Sequence, residues 1–274
     1  MVAVAVAPDA VEPDPGGSRS ARRRRPRVGR AGILLVAAVY FAVPFYAALR
    51  FALTSATKHW TADAFTRIPS QEGFSAAFTL SMRLAAVTTA LTLGLMVPTA
   101  VYVHLRLPKL RRVLDGITIL PIVIPPIVLV IGVLQVMPST LKGTPYLLAL
   151  EYVVLAMPFA YRSLDAGLGA IDLATLVEAS RSLGAGWGTT FRRVLLPNLR
   201  AALLSATVLT IALVLGEFTL ASLDQYQTLP VWIVSFQQDD SHVSTAVSLA
   251  AIAGTSALLV VIGSFDGRRR RAPR

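Results

Sequence analysis

The sequence contains no cysteine and few charged residues for its length. Because none of the 274 residues is Cys, disulfide frameworks, thiolate nucleophiles, iron–sulfur clusters and cysteine-based zinc sites are excluded. Only 15% of the residues are charged, 54% are hydrophobic, and the mean hydropathy is +0.63. The apolar residues form uninterrupted runs without amphipathic spacing, which excludes a water-soluble packed core. The composition therefore predicts an integral membrane protein.

Six stretches are long enough to cross a bilayer as helices, for which about 20 apolar residues are needed. Two of them, 143–161 and 201–223, reach that length only by including one acid each, Glu151 and Glu217. We therefore predict an all-α protein with six transmembrane helices and a membrane domain over 31–265. The four stretches free of charged residues are 31–49, 84–104, 116–141 and 243–265.

The basic residues are distributed unevenly about these six stretches. Twenty-one of the 26 Lys and Arg precede the first stretch, follow the sixth, or lie between the second and third or the fourth and fifth. The positive-inside rule then places both termini in the cytoplasm. Residues 1–30 are predicted to be a disordered basic tail and 266–274 a second basic tail. Arginines beside a membrane need only lipid headgroups as partners, so nucleic acid is disfavoured as a partner.

The long loop over 164–200, between the fourth and fifth stretches, is predicted to be folded and cytoplasmic. In DLATLVEASRSLG, Asp172 is positioned to cap a short helix and Gly184 to end it in a left-handed conformation. A second short helix is predicted over 189–196. Pro197 is expected in the first turn of the fifth transmembrane helix, where its missing N–H is harmless.

This loop resembles the EAA loop of permease subunits of binding-protein-dependent ATP-binding-cassette importers. Glu-Ala-Ser, three residues, Gly, nine residues and Val-Leu-Leu-Pro reproduce the spacing of that motif, with Ser and Val replacing its second alanine and its isoleucine. In the family the loop docks onto a cytoplasmic ATPase, and the resemblance implies the same role here. The coupling residues that it implies are Glu178, Ala179, Ser180, Gly184, Val194, Leu196 and Pro197.

The resemblance, over about residues 70–265, implies a type I importer permease in a bacterial cell membrane. Its implied partners are a cytoplasmic ATPase dimer, a second permease subunit, most simply a paralogue, and an extracytoplasmic substrate-binding protein. Glu178 would pair with a basic residue of the ATPase. GAGWGTT lacks the lysine of a phosphate-binding loop, so ATP hydrolysis is assigned to a separate subunit and this chain is not expected to be an enzyme.

The prolines and buried acids mark a candidate translocation path. Pro125 and Pro126 interrupt the third stretch in LPIVIPPIVL, which resembles the polyamine, sulfate, phosphonate and iron branch of these importers, and a broken helix can line such a path. Glu151 and Glu217 would attract a cationic cargo such as spermidine or putrescine. Alternatively, Arg83 neutralises one of them in a structural ion pair. No metal site or cofactor is indicated.

Three alternatives remain open at this level. The same importer class could carry phosphonate, sulfate or iron. An ion-gradient-driven secondary transporter also needs six helices and buried acids, but it does not need the folded loop. A membrane-embedded enzyme is disfavoured because the sequence has no H-E-x-x-H, no G-x-S-x-G and no intramembrane Asp pair.

Overall fold

The computed structural model describes residues 27–54 and 59–269 of the chain, and the side chains of 32–54 and 59–261. Nearly all of the regular structure in these residues is helical, and an isolated β-bridge joins Thr54 and Trp60. Residues 27–30 already belong to the first helix. The remainder of the predicted N-terminal tail and the end of the C-terminal tail lie outside the described residues.

The helices follow one another closely along the chain. Short 3₁₀ turns at Ile68–Ser70 and Pro108–Leu110 and a π-helical stretch at Phe191–Leu195 join some of them. The α-helices are α1 (Arg27–Ala52), α2 (Asp63–Thr66), α3 (Phe74–Arg106), α4 (Arg111–Val123), α5 (Pro126–Val136), α6 (Pro145–Gly169), α7 (Leu173–Ser182), α8 (Trp187–Thr190), α9 (Leu196–Asn198), α10 (Arg200–Gly216), α11 (Thr219–Leu223), α12 (Leu229–Phe236) and α13 (Ser241–Arg269).

Four helices in the described part of the chain are long and apolar enough to cross a membrane unbroken. They comprise Gly32–Ala52, Phe74–Arg106, Pro145–Gly169 and Ser241–Val261. The number rises to six if each of two bent helix pairs is also one crossing. The all-helical prediction is confirmed, and the count of six depends on how the bent pairs sit in the bilayer.

The two bent pairs correspond to the third and fifth predicted stretches. Between α4 and α5 the chain turns by 103° at residues 124–125, where Pro125 is extended and lacks an N–H. The second pair, Trp187–Asn198 with α10, turns by 75°. The prediction that the fifth helix continues to residue 223 is wrong, because α10 ends at Gly216 and the new helix α11 starts after two intervening residues, at Thr219.

By its internal contacts the chain divides into one unit of residues 1–46 and a second of residues 47–274. The described part of the first unit is a helix with apolar side chains exposed on all sides, as expected of a surface that faces lipid. The second unit has three buried apolar clusters. One joins α3, α6, α7 and α10, another joins α3, α5, α6 and α11, and the third joins α2, α3, α12 and α13.

The pair α6 and α10 packs closely because a glycine lies at the contact. A Cβ atom on Gly167 would overlap the Cβ of Ala202. Small residues at helix crossings let backbones approach within a membrane, where packing drives association. This contact fixes the end of α6 beside the start of α10, and the segment containing α7, α8 and α9 connects these two points.

A charged junction lies at the same end of the bundle. Arg111, at the start of α4, donates from Nε and Nη2 to Asp165 Oδ1 at 3.1 and 2.9 Å. His104 Nε2 lies 3.3 Å from the same oxygen, and its ring is almost fully buried. These contacts hold α3, α4 and α6 together.

Candidate functional site

The start of α7 is fixed by the side chain that the sequence predicted as its cap. Asp172 accepts hydrogen bonds from the Thr175 backbone N–H at 3.3 Å and the Thr175 hydroxyl at 2.7 Å. These bonds lower the pKa of Asp172 below its ordinary value, because they favour the ionised form. The predicted cap is therefore confirmed.

The end of α7 is fixed by a left-handed glycine. Gly184 has φ +81°, its N–H donates to the Arg181 carbonyl at 2.9 Å, and the Ala185 N–H donates to the Ser180 carbonyl at 3.2 Å. These two bonds form a Schellman motif, which satisfies the last carbonyls of a helix. The predicted stop at Gly184 is confirmed, and α7 has a defined boundary at both ends.

The second helical segment starts two residues earlier than the predicted range 189–196 and is less regular. It begins with α8, widens into a π-helical stretch and ends with α9. Pro197 lies in α9, before the 75° bend, so its predicted place in the first turn of the transmembrane helix is wrong. Asn198 donates to the Val194 carbonyl at 2.8 Å and closes this segment just before α10 begins.

One face of α7 is buried and the other is open. Leu173 and Val177 pack in the cluster shared with α3, α6 and α10. Glu178, Ala179 and Leu183 are exposed, and Leu183 is 89% exposed. An isolated apolar side chain at the tip of a well-anchored helix forms a protruding contact point.

A hydrogen bond joins α7 to α8 across the turn. Ser180 Oγ and Thr190 Oγ1 are 2.9 Å apart, and Thr190 is completely buried. Nearby, the guanidinium of Arg181 lies 5.4 Å from the ring centroid of Trp187, within the range of a cation–π contact. The segment 172–198 is therefore folded back on itself and held to the bundle, and we call it the coupling hairpin after the role that the sequence resemblance implies.

The two acids of the candidate path have different surroundings. Glu217 lies at the break after α10, and its carboxylate accepts hydrogen bonds from the backbone N–H groups of Thr219, Leu220 and Ala221 at 2.8 to 3.4 Å. It therefore caps α11. Carboxylates at helix N-termini are stabilised by these donors, so Glu217 has a structural partner that sequence reasoning missed.

Glu151 has no such donor. It is 1% exposed, and neither carboxyl oxygen has a hydrogen-bond partner among the described residues. It interacts electrostatically with Asp224, whose two oxygens are also buried without a partner, and with Glu217. The hydroxyl of Tyr152, fully buried and unpartnered, interacts with the same acids. Asp224 lies just beyond α11, outside the stretches in which acids were considered.

Asp224 is positioned by an unusual turn. Gln225, the next residue, has φ +62°, the only positive φ among the described non-glycine residues. A cavity of about 210 Å³ lies beside Asp224 and is bordered by residues of α5, α6 and the turn itself. Left-handed backbone at a non-glycine residue is sparsely populated and is retained where the surrounding structure imposes it.

Arg83 does not neutralise these acids. It is exposed on α3, and among the described residues it forms no ion pair. The alternative of a structural ion pair with Glu151 or Glu217 is therefore not supported. Pro125 and Pro126 are exposed at the break between α4 and α5. Further along α5, Val130 packs in the buried cluster with Ala149 and Tyr152, the neighbours of Glu151 in α6.

Apolar helices of membrane-crossing length, two bent pairs and an anchored hairpin between α6 and α10 are the features expected of the membrane subunit of a transporter. The sequence comparison identifies the kind of transporter. Residues 90–270 match the family described as binding-protein-dependent transport system inner membrane component. The chain belongs to this family, so the permease resemblance is confirmed.

Curated relatives cover most of the chain. The probable molybdenum ABC transporter permease protein of Haloferax volcanii is 31% identical over 261 residues, which cover 88% of this chain and 93% of the relative. ModB, the molybdenum transport system permease protein of Mycobacterium tuberculosis, is 30% identical over 206 residues, covering 68% and 77%. PhnV of Salmonella typhimurium, a putative 2-aminoethylphosphonate transport system permease protein, is 26% identical over 250 residues, covering 85% and 93%.

A solved structure has the same fold. A chain of a bacterial alginate ABC transporter, crystallised in complex with an alginate pentasaccharide-bound periplasmic protein, superposes with a TM-score of 0.62 at 15% identity. The match covers 88% of this chain and 93% of that chain. Since the identity is low, the likeness shows the permease fold alone. The relatives do not support the expected polyamine branch.

Proposed function

We propose that this permease subunit carries a small oxyanion, with molybdate as the preferred cargo, into the cell. The support is that relatives named for molybdenum transport are 30 and 31% identical to the chain. Sulfate and phosphonate, which were alternatives to a polyamine, are the runners-up, because relatives named for their transport are also similar. Because the proposed cargo is an anion, Glu151 and Glu217 are not proposed to bind it.

The coupling hairpin is the proposed docking site of the ATPase. Ala179 and Leu183 are four residues apart and therefore share one face of α7, with Glu178 beside them. We expect Leu183 to enter an apolar pocket of the ATPase and Glu178 to pair with a basic residue at its edge. Apolar anchors surrounded by polar contacts commonly supply most of the binding free energy of an interface.

The single observation that carries this proposal is the rigid support behind that exposed face. Both ends of α7 are capped, and Leu173 and Val177 are buried against α3, α6 and α10. A displacement imposed on Leu183 is therefore transmitted to the membrane helices and is not absorbed by a mobile loop. Val194, Leu196 and Pro197 continue this path toward α10, and Gly184 provides the turn.

The proposed path lies beside Glu151 and the break at Pro125 and Pro126. We propose that the chain crosses the membrane six times with both termini inside the cell. A second permease subunit, most simply a paralogue, would supply the other half of the path. The ATPase dimer would act from the cytoplasm and the substrate-binding protein from outside. An oxyanion would be repelled by an ionised Glu151–Asp224 pair, so we propose that this pair borders the path and does not bind the cargo.

Docking is tested by co-purifying the chain with its ATPase from membranes. We expect Leu183→Ala and Glu178→Ala each to weaken retention of the ATPase by roughly ten-fold. Gln238→Ala, an exposed change in the turn before α13, should leave retention unchanged and serves as the control. If both variants insert into the membrane normally and still retain the ATPase fully, the proposed docking face is contradicted.

Cargo is tested by uptake of radioactive molybdate in cells that lack the gene and receive it on a plasmid. We expect uptake to be restored and to be inhibited by excess tungstate, which has the same tetrahedral oxyanion shape. Sulfate should compete only weakly, and spermidine should not compete. Restored uptake of spermidine in place of molybdate would overturn the oxyanion proposal.

A further inference from the structure

We propose that the Ser180–Thr190 hydroxyl pair is a positioning contact that sets the angle between α7 and α8 during coupling. This inference rests on the proposed docking of the coupling hairpin. The pair joins the third residue from the end of α7 to the last residue of α8, with 2.9 Å between the two oxygens. In the described part of the hairpin it is the only side-chain hydrogen bond between these two helices.

The turn itself does not fix the angle. The Schellman bonds at Gly184 determine where α7 ends, but Gly186 and Gly188 follow within four residues, and a Cβ on either would meet no atom within 4 Å. Glycine backbones in open space have wide conformational freedom. A contact between residues before and after such a turn restricts its conformations. The Ser180–Thr190 hydroxyl pair is a contact of this kind, because Ser180 precedes the turn and Thr190 follows it.

Burial makes the hydroxyl pair more effective than the neighbouring cation–π contact. Thr190 is 0% exposed, so breaking the bond would leave a buried hydroxyl without a partner. Arg181 and Trp187 are both exposed, and their contact is weakened by water. The buried bond therefore has the larger effect on the angle.

Movement of the pair is transmitted to the membrane helices. Thr190 continues directly into the π-helical stretch, whose Leu195 is 0% exposed, and then into Leu199, which is 1% exposed. Both leucines pack in the cluster shared with α3 and α6. Since the motif that this loop resembles has alanine at the position of Ser180, the bond is a feature of this chain that the motif does not provide.

The test measures the angle and its effect separately. Because the chain has no cysteine, spin labels are placed by Ala179→Cys and Gly188→Cys, and their distance distribution is recorded in nanodiscs. Coupling is the ratio of cargo transported to ATP hydrolysed in unlabelled complexes. Ser180→Ala and Thr190→Val remove the bond, Thr190→Ser retains the hydroxyl, and Ser182→Ala and Thr189→Val are exposed controls on the same helices.

We expect Ser180→Ala and Thr190→Val to broaden the distance distribution and to lower the coupling ratio by about two- to ten-fold, the range expected for one net hydrogen bond. The double variant should be no worse than the poorer single variant, because both remove one interaction. Thr190→Ser should restore both readouts, and the two controls should match the wild type.

Three results would overturn the proposal: unchanged distances, broadened distances with an unchanged coupling ratio, or additive losses in the double variant. The proposed function fails in a different way. If the wild-type chain does not retain any ATPase, docking is refuted before the variants are compared, and the positioning role is refuted with it. An intact docked complex with unaltered coupling refutes only the positioning role.

Discussion

At the scale of single residues, the least satisfied group in the described chain is the carboxyl pair of Glu151 and Asp224. Four buried oxygens lack a hydrogen-bond donor. Two acidic side chains buried side by side are costly, and replacing one of them by a neutral amide is expected to stabilise the fold. We predict that Glu151→Gln raises the free energy of unfolding by roughly 1–3 kcal/mol, since the new amide can donate to Asp224. Thermal unfolding in nanodiscs measures this.

The control for this substitution is Glu72→Gln, because Glu72 is exposed and its side chain makes no hydrogen bond in the described structure. It should leave the melting temperature unchanged. If Glu151 borders the transport path, the stabilised variant should also take up less cargo, as expected where function retains an unfavourable residue. A lower melting temperature for Glu151→Gln would contradict the prediction.

A second residue-scale prediction concerns Gly184. Its φ of +81° is unfavourable for a residue with a Cβ, although the surrounding space is open. Gly184→Ala should therefore destabilise the end of α7 by about 1–2 kcal/mol through backbone strain alone. Faster amide hydrogen exchange in α7 would report it. Gly186→Ala is the matched control, because Gly186 has equally open space and a negative φ of −72°.

At the scale of elements, the α6–α10 contact depends on the missing side chain of Gly167. Gly167→Ala should separate the two helices and lower the free energy of unfolding by roughly 1–3 kcal/mol, because the added methyl overlaps Ala202. The double variant Gly167→Ala/Ala202→Gly should recover most of that loss. Gly132→Ala in α5 has open space around it and should not destabilise the protein.

The junction of α2 and α13 predicts an acid dependence. Asp240 accepts bonds from Arg67 and from the backbone N–H groups of His242 and Val243. Burial alone would raise the pKa of Asp240, but the Val243 N–H and Arg67 outweigh it and hold the pKa below its ordinary value. The ionised carboxylate therefore stabilises the fold above about pH 4, and this contribution is lost as the pH falls through the lower folded pKa.

Asp240→Asn should remove this contribution. We expect wild type and variant to differ most in melting temperature above about pH 5 and to converge below about pH 3. Asp239→Asn is the control, since Asp239 is exposed and makes no side-chain hydrogen bond in the described structure. A constant difference across this range would show that shape at residue 240, and not its charge, determines the effect.

The elements differ in how far the sequence could predict them. The cap at Asp172 and the stop at Gly184 followed from local chemistry, and both are observed. The end of α10 at Gly216 was missed, because a continuous apolar run does not show where a buried acid turns back to cap the next helix. Asp224, Thr190 and Leu183 were missed because their partners, or their exposure, depend on contacts between distant segments.

At the scale of the whole molecule, the arrangement in the membrane can be tested directly because the chain has no cysteine. A single cysteine from Thr189→Cys, in α8, should react with an impermeant maleimide only from the cytoplasmic side. One from Gln238→Cys, in the turn before α13, should react only from the outside. Both residues are exposed, so burial does not limit the reaction. Labelling of both from one side would contradict the orientation derived from the basic residues.

The π-helical stretch Phe191–Leu195 has a geometric consequence for the whole chain. A π turn contains one residue more than an α turn, and such turns are common at functional sites. Tightening it to ordinary α geometry would rotate the residues before it by about 100° around the helix axis relative to those after it. Thr190 would then move away from α7 while Leu199 stayed in place, so this one additional residue determines on which side of the helix axis the residues of α8 lie.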